Sequence, residues 1–352
     1  MPLTYKIYPH NLEFAFEAGT SRGVLQEKKS WFIKLYDAQN PAIYGLGEVS
    51  VIDKLSIDCK LITIDLISEC INTFIENDQN LSSIPSHLPA IKFGIETAYL
   101  DLINGGKRVF FKNDFSNGLK GISINGLIWM GDKQLMLKRI GEKLDEGFSC
   151  LKLKIGAINF EDELFLLQSI RKQFSAQELE VRVDANGAFS KEDALQKLIQ
   201  LAEYQLHSIE QPIAVKQWEA MADLCKKSPI PIVLDEELIG VTGFENKQNL
   251  LKAIQPPYII LKPSLLGGFA ESTEWIKLAE ESHIQWWMTS ALEANIGLNA
   301  IAQFSSSFQN SLPQGLGTGQ LYTNNIASPL EIKQGYLFYN IQNSWDLSIF
   351  EA

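Results

Sequence analysis

Three acids and three lysines recur along this chain at spacings that suit shared chemistry. Asp184, Glu210, Asp235 and Lys262 follow one another at intervals of 26, 25 and 27 residues, each closing a short β-type run. Upstream, Leu151-Lys152-Leu153-Lys154 sets two lysines two positions apart, so that on a strand their side chains share a face. Three carboxylates brought to one point repel one another unless a cation lies among them. Hard oxygen donors, with no His or Cys at matching positions, suit Mg2+ better than zinc. Singly, each acid need do no more than cap a strand end; as a set, flanked by lysines, they point to a site. Two ammonium groups on one face disfavour each other's protonation and would make a neutral amine available as a general base. The same alternation also allows Leu151, Leu153 and Ile155 to face inward and the lysines outward. A base beside a metal is what a reaction needs to take a proton next to a carboxylate and hold the enediolate.

Intervals of this length match one strand plus one helix. Strand-like runs at 123–129, 150–155, 180–184, 208–210, 231–235, 258–262, 284–288 and 314–316 alternate with amphipathic stretches such as 133–144, 162–174, 191–204 and 269–280. Eight strands alternating with helices predict a closed parallel barrel, whose carboxyl-end mouth would gather the ionisable residues; periodicity alone also fits an open doubly wound sheet. Before Gly121 the pattern differs. Runs at 12–16, 29–36 and 43–49 look antiparallel, and Leu61, Ile62, Leu66, Ile67, Ile71 and Phe74 recur at helical spacing.

Composition narrows the function classes. The 352 residues are 45% apolar and 21% charged, as in globular proteins, and the net charge of −11 argues against nucleic acid or an anionic membrane as partner. An anionic small substrate stays compatible, because a bound cation reverses the field locally. Cys59, Cys70, Cys150 and Cys225 are scattered without a CxxC pair, which reads as reduced thiols. The opening MPLTYKIY lacks the features of a signal peptide, and no apolar run reaches the roughly 18 residues needed to cross a bilayer. A soluble, cytoplasmic protein is expected.

The motifs KLKIG, VDANGAF, IEQP, VLDEEL and LKPSLLGG resemble the enolase superfamily, in its muconate-lactonizing subgroup, and within it the o-succinylbenzoate synthases of menaquinone biosynthesis. The resemblance implies a modified (β/α)7β TIM-type barrel over 121–320, an α+β capping domain over 1–120, and a segment over 321–352 returning to the cap. It implies Mg2+, or Mn2+ as substitute, on Asp184, Glu210 and Asp235, with Asn186 and Glu236 behind them. Lys154 would be general base and then acid, supported by Lys152, with Lys262 stabilising the enolate from the other face. The implied reaction is loss of water from 2-succinyl-6-hydroxy-2,4-cyclohexadiene-1-carboxylate to give o-succinylbenzoate.

Substrate contacts are expected from Arg22 in the capping loop TSRGVLQEKKSW, from Ser290, and from the free N–H groups around Gly317 and Gly319; a tight turn would equally explain those glycines, and a surface position Arg22. The stretch 288–293 has no His, and GLGTGQLY lacks the Asp-x-Asp of dipeptide epimerases and any acid a cycloisomerase would use there. An N-succinylamino acid racemase, with Lys154 and Lys262 as opposed bases, is the nearest rival, followed by other racemases and cycloisomerases of the subgroup. A barrel that binds without catalysis is the reading from another class. His10, His87, His207 and His283 lie away from the strand ends and read as structural, and Trp286 and Trp287 as core.

Overall fold

The computed structural model describes residues 2–20 and 23–351; Arg22 of the capping loop lies outside them. The chain opens with an antiparallel sheet of β1 (Leu3–Thr20), β2 (Gly23–Asp37) and β3 (Asn40–Ser50). The first strand starts nine residues before the expected run, because Leu3, Tyr5 and Ile7 already alternate and pack on the cap core. Its register shifts between Glu13 and Ala18, and beyond that irregularity Gly19 bridges Met130 at the start of the barrel.

Helix α1 (Ile64–Glu76) begins at Thr63, whose hydroxyl accepts from Leu66 N at 3.1 Å, and it buries Ile67, Cys70, Ile71 and Phe74. Leu61 and Ile62, counted with this helix by spacing, precede it. Helix α2 (Pro89–Ile103), with Pro at its first position, lies directly on β3. Contact is backbone to backbone. A Cβ at Gly45 or Gly47 would stand 1.9 Å from the carbonyl oxygen of Ala98 or Gly94, one turn apart on the helix. Gly47→Ala must therefore push helix from sheet, and a loss of about 1–3 kcal/mol or more is expected, read as a lowered midpoint in thermal or urea unfolding. An unchanged midpoint would mean that the contact is looser than described.

Beyond β4 (Ile122–Ser123), a parallel sheet curls through β5 (Gly126–Ile128), β6 (Cys150–Lys154), β7 (Glu180–Asp184), β8 (Ser208–Glu210), β9 (Ile232–Leu234), β10 (Tyr258–Leu261) and β11 (Gln285–Met288), hydrogen-bonded in that order. Between and after these strands come α3 (Lys133–Asp145), α4 (Phe160–Arg171), α5 (Ala194–Ala202), α6 (Trp218–Lys227), α7 (Phe244–Ile254), α8 (Pro263–Leu266), α9 (Phe269–Glu281) and α10 (Asn295–Ser305). The run expected at 314–316 forms no full strand. Gln314 pairs parallel with Ile124 and Gly315 with Thr289, joining the two ends of the sheet. This closure excludes the open sheet. Gly315 is needed there: a Cβ would lie 2.4 Å from Thr289 Oγ1.

Strands β12 (Leu330–Lys333) and β13 (Tyr336–Tyr339) pair back onto β4. The chain then reaches the first sheet, where Phe350 is fully buried with its ring 5.4 Å from those of Tyr8 and Phe32, edge-on to both. Its carbonyl accepts from Tyr8 Oη at 3.1 Å and Lys34 Nζ at 2.8 Å. Elsewhere the cap grips barrel helices by their amino ends: Glu48 accepts from Ala294 N at 2.9 Å and Gly297 N at 3.0 Å, and Glu96 from Phe269 N at 2.5 Å.

Candidate active site

Parallel register is what assembles the charges. In β6, β7 and β8, Lys154 stands opposite Asp184 and Asp184 opposite Glu210, so consecutive strand ends present their ionisable side chains side by side. The alternation within β6 is resolved: Leu151 and Leu153 join the core that includes Leu166, Leu167 and Ile170 of α4, while Lys152 and Lys154 turn to the cavity. Lys152 Nζ bonds Glu210 Oε2 and lies 2.9 Å from Asp184 Oδ2. Lys154 Nζ is 2.5 Å from Asp184 Oδ2 and 3.0 Å from Asn186 Oδ1, and Asn186 Nδ2 donates to Glu236 Oε1 at 3.0 Å. Across the mouth, Lys262 Nζ bonds Asp235 Oδ2. All three strand-end carboxylates are buried.

Carboxylates dominate the surroundings of two of the lysines. Burial pulls Lys152 down, yet Asp184, Glu210 and Asp235 outweigh it and hold the ammonium above its ordinary range; burial likewise acts on Lys262 and is outweighed by Asp235 and Glu210. Like-charge repulsion is not the governing interaction for these two lysines, because each faces carboxylates more closely than it faces another lysine. Among the acids, Asp184 is raised by burial but driven well below the usual range by Lys152 and Lys154. Glu210 goes well above it, through burial and then the charge of Asp184.

Among the described residues, no three His, Cys, Asp or Glu side chains form a ready metal cage. Lysine ammonium groups engage the strand-end oxygens instead, supplying the counter-charge that three converging carboxylates require. The donor set still suits a hard divalent cation, being all oxygen, buried and anionic, with Glu210 Oε1 buried and without a hydrogen-bond partner.

Above the lysines lies a cavity of about 210 Å³. Its roof is the cap: Gly23, Val24 and Leu25 from the start of β2, and Ile52 to Leu55 from the loop after β3. Asn125, Leu127 and Trp129 line one side at every second residue, and Thr289, Gly315 and Thr318 are among the residues of another. Asn125, Leu127 and Trp129 were not singled out from sequence, although the run at 123–129 and strand alternation contain the signal. Asn125 Oδ1 and Thr289 Oγ1 are buried without a hydrogen-bond partner. Gly23, Val24 and Leu25 belong to the capping loop TSRGVLQEKKSW, whereas Ile52 to Leu55 were not singled out from sequence.

Of the expected substrate contacts, Gly317 lines the cavity, whereas Gly319 packs against Asn295 and Leu298 and does not. Ser290 lines the cavity with its hydrogen bonds already made. Its hydroxyl donates to Glu293 Oε2 at 2.5 Å and accepts from Leu292 N at 3.1 Å and Thr318 Oγ1 at 2.8 Å. One donor and two lone pairs are a hydroxyl's full capacity, so the contact expected of Ser290 has no hydrogen bond left to use.

Residues 136–340 match the enolase C-terminal domain-like family. The chain is 47% identical to the o-succinylbenzoate synthase of Desulfotalea psychrophila, across 96% of this chain and 98% of that one. The crystal structure of MenC from the same organism superimposes with a TM-score of 0.81 over 96% of this chain and 100% of that one, at 41% identity. The fold also matches muconate lactonizing enzyme from Pseudomonas fluorescens, with a TM-score of 0.83 at 22% identity over 99% and 98% of the two chains. With a curled seven-stranded barrel, an α+β cap over its mouth and these relatives, the chain belongs to the enolase C-terminal domain-like family and, within it, to the o-succinylbenzoate synthase family.

Proposed function

We propose that the protein dehydrates 2-succinyl-6-hydroxy-2,4-cyclohexadiene-1-carboxylate to o-succinylbenzoate, a step of menaquinone biosynthesis carried out in the cytoplasm. The observation that carries the reading is a cavity holding Lys154 and Lys262 on separate carboxylates, Asp184 and Asp235, with Lys152 between Asp184 and Glu210. Lys154, as the free amine, takes the proton from the ring carbon that bears the carboxylate. The electron pair enters the carboxylate, and the resulting dianion lies against the ammonium groups of Lys262 and Lys152. The electrons then return to the ring, the C–O bond breaks, and Lys154 gives its proton to the departing hydroxyl as water. The product ring is aromatic, so the protein need only lower the barrier to the dianion.

Asp184, Glu210 and Asp235 would hold Mg2+ or Mn2+, with Asn186 and Glu236 orienting Asp184 and Lys154. When bound, the cation would supply positive charge to the substrate carboxylate and acidify the adjacent C–H. The small dicarboxylate fits a mouth rich in lysine within a chain of charge −11. No helix among the described residues is long and apolar enough to cross a membrane, and all four cysteines are unpaired.

A second reading, N-succinylamino acid racemase, is favoured by the placing of Lys154 and Lys262 in one cavity, since racemisation needs a base on each face. Steady-state assay of the purified protein with the cyclohexadiene and with N-succinyl amino acids decides between them. Dehydration is expected with the larger kcat/KM; turnover of the N-succinyl amino acids alone would overturn the first reading.

A further inference from the structure

Behind the cavity wall, a chain of hydrogen bonds runs in one direction only. Glu293 is fully buried, and three donors converge on it: Ser264 Oγ on one oxygen, Ser290 Oγ at 2.5 Å and Ala291 N at 2.8 Å on the other. A carboxylate receiving three donors accepts from each. The Ser290 proton is therefore committed to Glu293. Ser290 Oγ also receives Leu292 N–H, which leaves it one lone pair, and Thr318 Oγ1 at 2.8 Å fills that place. Thr318 must then be the donor in its bond to Ser290. Its only proton points away from the cavity that Thr318 lines, and its lone pairs are what remain for a ligand.

We propose that Thr318 Oγ1 is an acceptor-only subsite, its direction set by Ser290 and Glu293 as positioning residues, that selects ligands carrying an O–H or N–H donor at this point of the cavity. A carbonyl or carboxylate oxygen placed there meets lone pairs with lone pairs. A hydroxyl or amide N–H is bonded. The choice of ligands rests on the function proposed above: the cyclohexadiene carries a ring hydroxyl and an N-succinyl amino acid carries an amide N–H, whereas o-succinylbenzoate has neither. The bond made to a substrate would thus vanish when water is lost, which favours release of the product.

Equilibrium binding separates the alternatives without needing turnover. Calorimetric titration, in Mg2+ buffer, uses o-succinylbenzoate and N-succinylphenylglycine as probes against wild type, Thr318→Val and Ser290→Ala. Thr318→Val keeps the shape and removes the acceptor; it is expected to weaken N-succinylphenylglycine about tenfold and leave o-succinylbenzoate unchanged or tighter. Ser290→Ala frees the Thr318 proton to turn toward the cavity, and o-succinylbenzoate is expected to bind more tightly to it. Equal effects of Thr318→Val on both probes, or no effect on either, would overturn the proposal. Should that variant fail to fold, the Ser290→Ala arm decides: unchanged or weaker o-succinylbenzoate binding overturns it. A wild-type protein that bound neither probe would overturn the functional reading, and this one with it.

Discussion

Lys154→Ala is expected to lower kcat for dehydration by on the order of 10⁴-fold, the upper range for removing a group that serves as both general base and general acid. The geometry leaves no equivalent substitute. Lys152 is bonded to Glu210 and held protonated by three carboxylates, and Lys262 is bonded to Asp235 across the mouth. Lys262→Arg divides the two reactions differently. Dehydration on one face asks only for positive charge at 262, which arginine retains, whereas racemisation asks for a base there, and a guanidinium stays protonated. The arginine variant should therefore lose racemisation more completely than dehydration. Steady-state turnover of both substrates by each variant, with metal binding measured in parallel, makes the comparison. Substantial dehydration by Lys154→Ala would remove it from its role and point to Lys152 or a bound water.

Glu210→Gln is expected to act first on metal binding. It keeps the length of the side chain but removes one anionic oxygen donor from a buried set of three. Mg2+ affinity should fall on the order of 100-fold or more, and the stabilisation of the fold by added Mg2+ should disappear, read as a thermal midpoint that no longer responds to the cation. Wild type stripped with chelator should be inactive until Mg2+ or Mn2+ is restored. Full activity in metal-free buffer would sink the metal assignment.

The part of the site that was legible in sequence is the part built on regular strands. An interval near 26 residues, repeated, is one strand and one helix, and a charged residue at each strand end goes to one mouth whatever the helices contain. The hairpins and loops of the cap carry no such period. Gly23–Leu25 were placed at the substrate only by the resemblance of the loop TSRGVLQEKKSW, and Ile52–Leu55 line the cavity because the cap sheet packs on the barrel, a long-range contact without a local signal. The surroundings of Lys152 were hidden for a related reason: spacing shows the lysine two residues away but not the carboxylates on neighbouring strands, which hold its ammonium above the ordinary range. Ser290 lines the cavity, but whether a hydroxyl has capacity to spare depends on Glu293, Leu292 and Thr318 around it. The eighth strand is reduced to two bridges, Gln314 with Ile124 and Gly315 with Thr289, where close approach to Thr289 leaves no room for a side chain at 315.

The seating of Phe350 has a consequence for the order in which the molecule is made. The first sheet is made within residues 3–50, yet its core stays short of one aromatic ring, and Lys34 and Tyr8 lack their acceptor, until residue 350 is synthesised. A sheet made early is thus completed late. Until then, the face of Tyr8 and Phe32 that Phe350 covers stands open during translation, a surface that a chaperone would have reason to shield.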